Sequence, residues 1–129
     1  MDRAFISRFK FEVAYETIYV DFDDTLSIKD EPNLDVVALV VAARHRGKRL
    51  VLLSRNKGDC MDWLRQHGLA QLFHHTILLD QQTPKHSYME PSSILIDDSF
   101  SERKACHEAG RLCVDSDAAS ALTMQLRKP

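Results

Sequence analysis

Four short runs in this chain, Ile18 to Val20, Leu50 to Leu53, Ile77 to Leu79 and Ile94 to Ile96, are apolar without interruption. A strand wetted on one face alternates apolar and polar residues. An unbroken run is buried on both faces, which requires a parallel sheet covered by helices on each side. Segments of helical period separate the runs. Residues 34–45, LDVVALVVAARH, form an Ala-rich apolar helix opened by Asn33 as N-cap and closed by Gly47. A second helix is expected over 59–67, closed by Gly68, a short one over 85–89, and others over 101–109 and 118–127. The strands are expected at 17–21, 48–54, 75–80, 92–98 and 111–115, with an extra edge strand or hairpin at 5–15. Strand alternating with helix leads to the same class of fold. The expectation is an α/β, three-layer doubly wound (Rossmann-like) sandwich with a mainly parallel sheet of about five strands.

The length of 129 residues suits one domain over 1–129. A chain of this size buries roughly two-thirds of its unfolded surface, enough for a real core. With 44% hydrophobic and 28% charged residues the mix is globular rather than disordered. The formal net charge of −2 gives no global attraction to nucleic acid or an anionic membrane, although a local basic patch stays open. No apolar run approaches the ~20 residues of a membrane span, and the N-terminus lacks the apolar middle of a signal peptide. Cys60, Cys106 and Cys113 form no CxxC pair. They read as free, buried thiols of a cytoplasmic protein; the spacing of Cys106, His107 and Cys113 fits no common zinc pattern.

In doubly wound sheets the ligand site lies beyond the carboxyl ends of the strands. Those ends are unusually polar here. The first strand runs into Asp21, Asp23 and Asp24, the second into Ser54, Arg55 and Asn56, and the fourth into Asp97, Asp98 and Ser99. Lys85 follows the third after a loop, and Lys57 is a second lysine near the same edge. Carboxylates this close repel one another and raise each other's pKa, which a cation among them would relieve. Mg²⁺ favours such hard oxygen ligands. A carboxylate can also act as a covalent nucleophile, and a second one as general acid and base. Ser54, Arg55 and Lys85 are candidates for binding phosphoryl oxygens.

The stretch VDFDDTL is similar to the DxDxT signature of the haloacid dehalogenase superfamily. RLVLLS resembles that superfamily's second motif, ILIDD its fourth, and Lys85 stands where the third-motif lysine belongs. The resemblance covers residues 18–114. It implies Asp21 as nucleophile and Asp23 as general acid/base. It also implies Mg²⁺ held by Asp21, the Asp23 carbonyl and Asp97, with Asp98 nearby or through water. An acid at the place of Asp23 resembles the phosphatases rather than the dehalogenases or P-type pumps. Ser54 follows Thr25 by 29 positions and Lys85 follows Ser54 by 31, which leaves no room for a cap domain. SIKDEPN allows only a very short flap. Capless members act on large or macromolecular phosphorylated substrates, or have the site closed by another subunit or a fused domain. The rival readings are a catalytically weak binding or regulatory module of a larger assembly, and a phosphotransferase.

Overall fold

The computed structural model describes residues 14–55, 58 and 60–128. The strand or hairpin expected from residue 5 lies, but for its last two positions, outside the described residues, as do Asn56, Lys57 and Asp59. In chain order the elements begin with β1 (Thr17–Val20), β2 (Ser27–Ile28), β3 (Glu31–Pro32), α1 (Leu34–His45) and β4 (Arg49–Ser54). There follow α2 (Cys60–Gln66), β5 (His75–Leu78), β6 (Ser93–Ile96), α3 (Phe100–Glu108), β7 (Leu112–Val114) and α4 (Ala119–Arg127). Single 3₁₀ turns occupy Ala70–Leu72, Lys85–Tyr88 and Ser116–Ala118.

Five strands pair in parallel in the order β5-β4-β1-β6-β7. This is the α/β arrangement that the apolar runs require. Alternate residues of each strand feed two separate cores. Ile18, Val20, Leu50, Leu52, Ile94 and Ile96 pack on one face with residues of α1, α2 and α4. Tyr19, Val51, Leu53, Leu95 and Cys113 pack on the other with Cys106 of α3 and with Leu79 and Met89. Cys60, Cys106 and Cys113 are all buried. No helix among the described residues is long and apolar enough to cross a membrane.

Local chemistry explains the boundaries of α1. Asn33 Oδ1 accepts from the Asp35 amide at 3.2 Å, satisfying one of the free N–H groups at the helix start. At the other end Gly47 takes φ +78°, a left-handed conformation that costs glycine little. The segment expected as a short helix at 85–89 is instead the 3₁₀ turn Lys85–Tyr88. So few residues cannot offset the cost of nucleating an α-helix.

Strand order reverses at β1, since β4 and β5 lie to one side of it and β6 and β7 to the other. The crevice between β1 and β6 is therefore the expected ligand position. Beside it stands the hairpin β2–β3, whose tip residues Lys29 and Asp30 have φ of 51° and 70°. Positive φ at both central residues gives the twist a two-residue hairpin needs, but without glycine it carries strain. Trp63 of α2 holds the tip: its Nε1 donates to the Asp30 carbonyl at 3.0 Å, and its ring stacks edge-on against Phe22 at 5.1 Å. Trp63→Phe is expected to cost about 1 kcal/mol, a typical net hydrogen bond, and to speed proteolysis at the hairpin. Limited digestion with peptide mapping checks this; an equally resistant tip would mean that its base alone holds it.

Candidate active site

Register explains why distant acids meet. Val20 lies opposite Ile96, and the Asp21 amide donates to the Ile96 carbonyl at 3.0 Å. Asp21 and Asp97 therefore leave adjoining parallel strands side by side. The loop from Leu79 to the turn at Lys85 crosses the sheet face that holds Tyr19, and the Tyr19 hydroxyl donates to the Tyr88 carbonyl at 2.8 Å. That crossing brings Lys85 between the two acids. Its ammonium donates to Asp21 Oδ1 at 2.6 Å and to Asp97 Oδ2 at 2.8 Å. Lys85, Asp21 and Asp97 are all buried, at 4%, 7% and 0% exposure.

Thr25 completes the cluster. Its hydroxyl, fully buried, lies 3.0 Å from Asp21 Oδ2 and 3.1 Å from Asp98 Oδ1, and accepts from the Asp98 amide at 3.1 Å. One hydroxyl proton can serve only one of the two carboxylates at a time. The turn bearing Thr25 is anchored in turn, since Asn33 Nδ2 donates to the Thr25 carbonyl at 3.0 Å. Asn33 thus caps α1 with one end of its amide and holds the site with the other. The second oxygen of Asp97, Oδ1, accepts from the Ser99 amide at 3.0 Å. Thr25 belongs to the DxDxT stretch, so its residue type is visible in the sequence, but its contacts with Asp21 and Asp98 are not.

The electrostatics follow from two buried carboxylates sharing one ammonium. Burial, and then repulsion from Asp97, push the Asp21 carboxyl up to about 7 against the opposing pull of Lys85 and Thr25. Burial alone would push Lys85 down, but the two carboxylates outweigh it and hold the ammonium charged above its usual range. Asp98 is also raised, mainly by burial, with its bond to Thr25 acting the other way. Oxygens of Asp21, Asp97 and Asp98 all lie within 4.8 Å of one another. Three converging carboxylates, two of them buried, match the all-oxygen donor set of a hard divalent cation.

The remaining expected residues lie around this centre. Ser54 is buried at the carboxyl end of β4, two positions past Leu52, which is level with Val20. Asp23 stands outside the carboxylate trio, exposed, and lines a cleft of about 440 Å³ with Asp24, Lys29 and Trp63. Asp24 has φ 60° and its amide donates to the Ser27 carbonyl at 2.7 Å, so its backbone ties the loop. Arg55 does not point into the cluster; it pairs with Glu102 at 2.6 Å.

Known structures share this architecture. An uncharacterized protein from Corynebacterium glutamicum ATCC 13032 Kitasato superposes with a TM-score of 0.67 at 20% identity, covering 88% of this chain and 95% of that one. A hydrolase from Streptococcus pneumoniae TIGR4 superposes with a TM-score of 0.58 at 13% identity, covering 78% of this chain and 92% of that one. At these identities the likeness establishes the fold. No protein-family model matches the chain, and no curated protein matches it in sequence.

Proposed function

We propose that this chain is a capless haloacid dehalogenase-type phosphohydrolase that removes phosphate from a monoester through an aspartyl-phosphate on Asp21. The observation that carries the reading is the buried arrangement of Asp21, Lys85 and Asp97, with Asp98 and Thr25, at the reversal of strand order. The streptococcal neighbour's description as a hydrolase agrees with it. Asp21, Asp97 and Asp98 would hold Mg²⁺, which supplies charge neutralisation at the phosphoryl oxygens and keeps Asp21 ionised.

In this reading a carboxylate oxygen of Asp21 attacks phosphorus, and the bond to the leaving oxygen breaks. Asp23, in the open cleft on the solvent side, gives that oxygen its proton. Asp23 then takes a proton from water, which attacks the aspartyl-phosphate and releases inorganic phosphate while restoring Asp21. Lys85 and Ser54 bind the transferring oxygens. Thr25 holds the Asp21 carboxylate in one orientation, so that little rearrangement precedes attack. The hairpin β2–β3 is the flap over the cleft, and the open approach suits a large phosphorylated substrate or closure by a second subunit or domain. The direct test is phosphate release from a panel of monoesters with Mg²⁺, with EDTA, and with Asp23→Asn. No Mg²⁺-dependent release from any ester would overturn the reading.

Metal binding should depend on pH. The Asp21 carboxyl keeps its proton up to about 7, and Mg²⁺ must displace that proton. The rise in melting temperature on adding Mg²⁺ is therefore expected to be larger at pH 8 than at pH 5.5. Thermal melts in Mg²⁺ and in EDTA at both values check it; equal shifts would place the cation away from Asp21.

A further inference from the structure

Arg55 follows Ser54 directly, which makes it look like a phosphate ligand, but its guanidinium is engaged elsewhere. Nε donates to Glu102 Oε2 at 2.6 Å and Nη2 to Glu102 Oε1 at 3.3 Å, a two-pronged contact with the first turn of α3. Nη1 donates to the Asp80 carbonyl at 2.6 Å, and the Arg55 carbonyl accepts from Gln81 Nε2 at 3.4 Å. Asp80 in turn shapes the loop ahead of Lys85, since its Oδ1 accepts from the amides of Gln82 and Thr83 at 2.9 and 2.7 Å. One side chain therefore joins three segments. These are the end of β4 with Ser54, the loop that delivers Lys85, and the start of α3 directly after Asp97 and Asp98.

We propose that Arg55 is a positioning residue that sets Lys85 between Asp21 and Asp97, with Glu102 as its anchor. The inference rests on the phosphohydrolase reading for its catalytic consequence, though not for the geometry. Both side chains of the pair are about four-fifths buried, at 20% and 19% exposure, so solvent screens them less than a surface pair. Arginine is required because its planar fork serves a carboxylate and a carbonyl at once, whereas a lysine ammonium cannot span both. The Lys85 contacts at 2.6 and 2.8 Å leave little room, since a loop shift of about 1 Å would break them.

The test uses the full chain and the variants Arg55→Lys, Arg55→Ala and Glu102→Gln. Labelling of lysines by an amine-reactive reagent in metal-free protein, read by mass spectrometry, reports the placement of Lys85 without any turnover. Lys85 is expected to be protected in the parent and to label on the order of tenfold faster in all three variants, as for a locally opened segment. Lys48, bonded to the Tyr15 carbonyl far from the pair, serves as the control for global unfolding. Arg55→Lys keeps charge and bulk and decides the matter if the alanine variant loses its fold. On a phosphate ester, each variant is expected to lower kcat by roughly 10- to 100-fold with KM within about twofold, as misplacement of a catalytic group does. Unchanged Lys85 labelling in Arg55→Lys and Glu102→Gln would overturn the proposal. So would a lower KM in Glu102→Gln together with full activity in Arg55→Lys, the result expected of a direct phosphate ligand. A parent without turnover would defeat the phosphohydrolase reading alone, and the labelling would still decide where Arg55 acts.

Discussion

Asp21→Asn is expected to lower Mg²⁺-dependent phosphate release by a factor on the order of 10⁴ or more, as loss of a covalent nucleophile does. The same substitution should leave the metal-free protein at least as stable as its parent at pH 8. The two effects have one cause. Asp21 is buried beside Asp97, and its carboxyl in the folded chain is pushed from an ordinary 3.8 up to about 7. A raised carboxyl means that the fold prefers the protonated form. Its contribution to stability is complete below the unfolded value and is lost as pH rises through the folded one. Above about 7 the ionised group opposes folding unless a cation is bound. Asparagine keeps the shape and still offers an oxygen to Lys85 or Thr25, but removes that charge. Turnover assays together with melts at pH 5.5 and pH 8 in EDTA test both halves. Retained turnover would remove Asp21 as nucleophile. A loss of stability at pH 8 would mean that its bond to Lys85 outweighs the cost of burying its charge.

What was readable in the sequence is what local chemistry dictates. The bounds of α1, Leu34–His45, follow from Asn33 and Gly47 because a cap and a left-handed glycine act within one turn. The five-stranded sheet follows from the unbroken apolar runs, because those of β1, β4 and β6 are buried on both faces; the run in the edge strand β5 is not, since Leu78 is exposed there. The acids at the ends of β1 and β6 could be placed on one edge, since the strands of the five-stranded sheet are parallel. What could not be read depends on which strands become neighbours. Thr25 meets Asp98 across 73 positions, and only the adjacency of β1 and β6 brings them together. Arg55 meets Glu102 across 47 positions, a pairing that its place beside Ser54 does not signal. The hairpin tip at Lys29 and Asp30 lacks the glycine that signals such a turn, and only the packing of Trp63 explains how the chain holds it.

Lys85 offers the test of the site that depends least on any reaction. Lys85→Met should destabilise the metal-free protein at pH 8 by about 3–5 kcal/mol, the usual cost of removing one partner from a buried ionic cluster. For a domain of this size that lowers the melting temperature by roughly 10 °C or more. Methionine fills much of the same volume, so lost packing contributes little. The loss comes from Asp21 Oδ1 and Asp97 Oδ2, which give up an ammonium at 2.6 and 2.8 Å and are left facing each other. The dependence on pH has a definite sign. Without the ammonium, the Asp21 carboxyl rises further above its present position near 7, and the protonated form escapes the repulsion. The destabilisation should therefore shrink as pH falls from 8 to 5.5. Mg²⁺ should recover part of it at pH 8, because a divalent cation among Asp21, Asp97 and Asp98 replaces the missing positive charge. Chemical denaturation of parent and variant at both pH values, in EDTA and in Mg²⁺, measures all of this. A loss that is equal at both pH values and indifferent to Mg²⁺ would show that Lys85 stabilises the fold through packing. The three carboxylates would then not act together as a cation site.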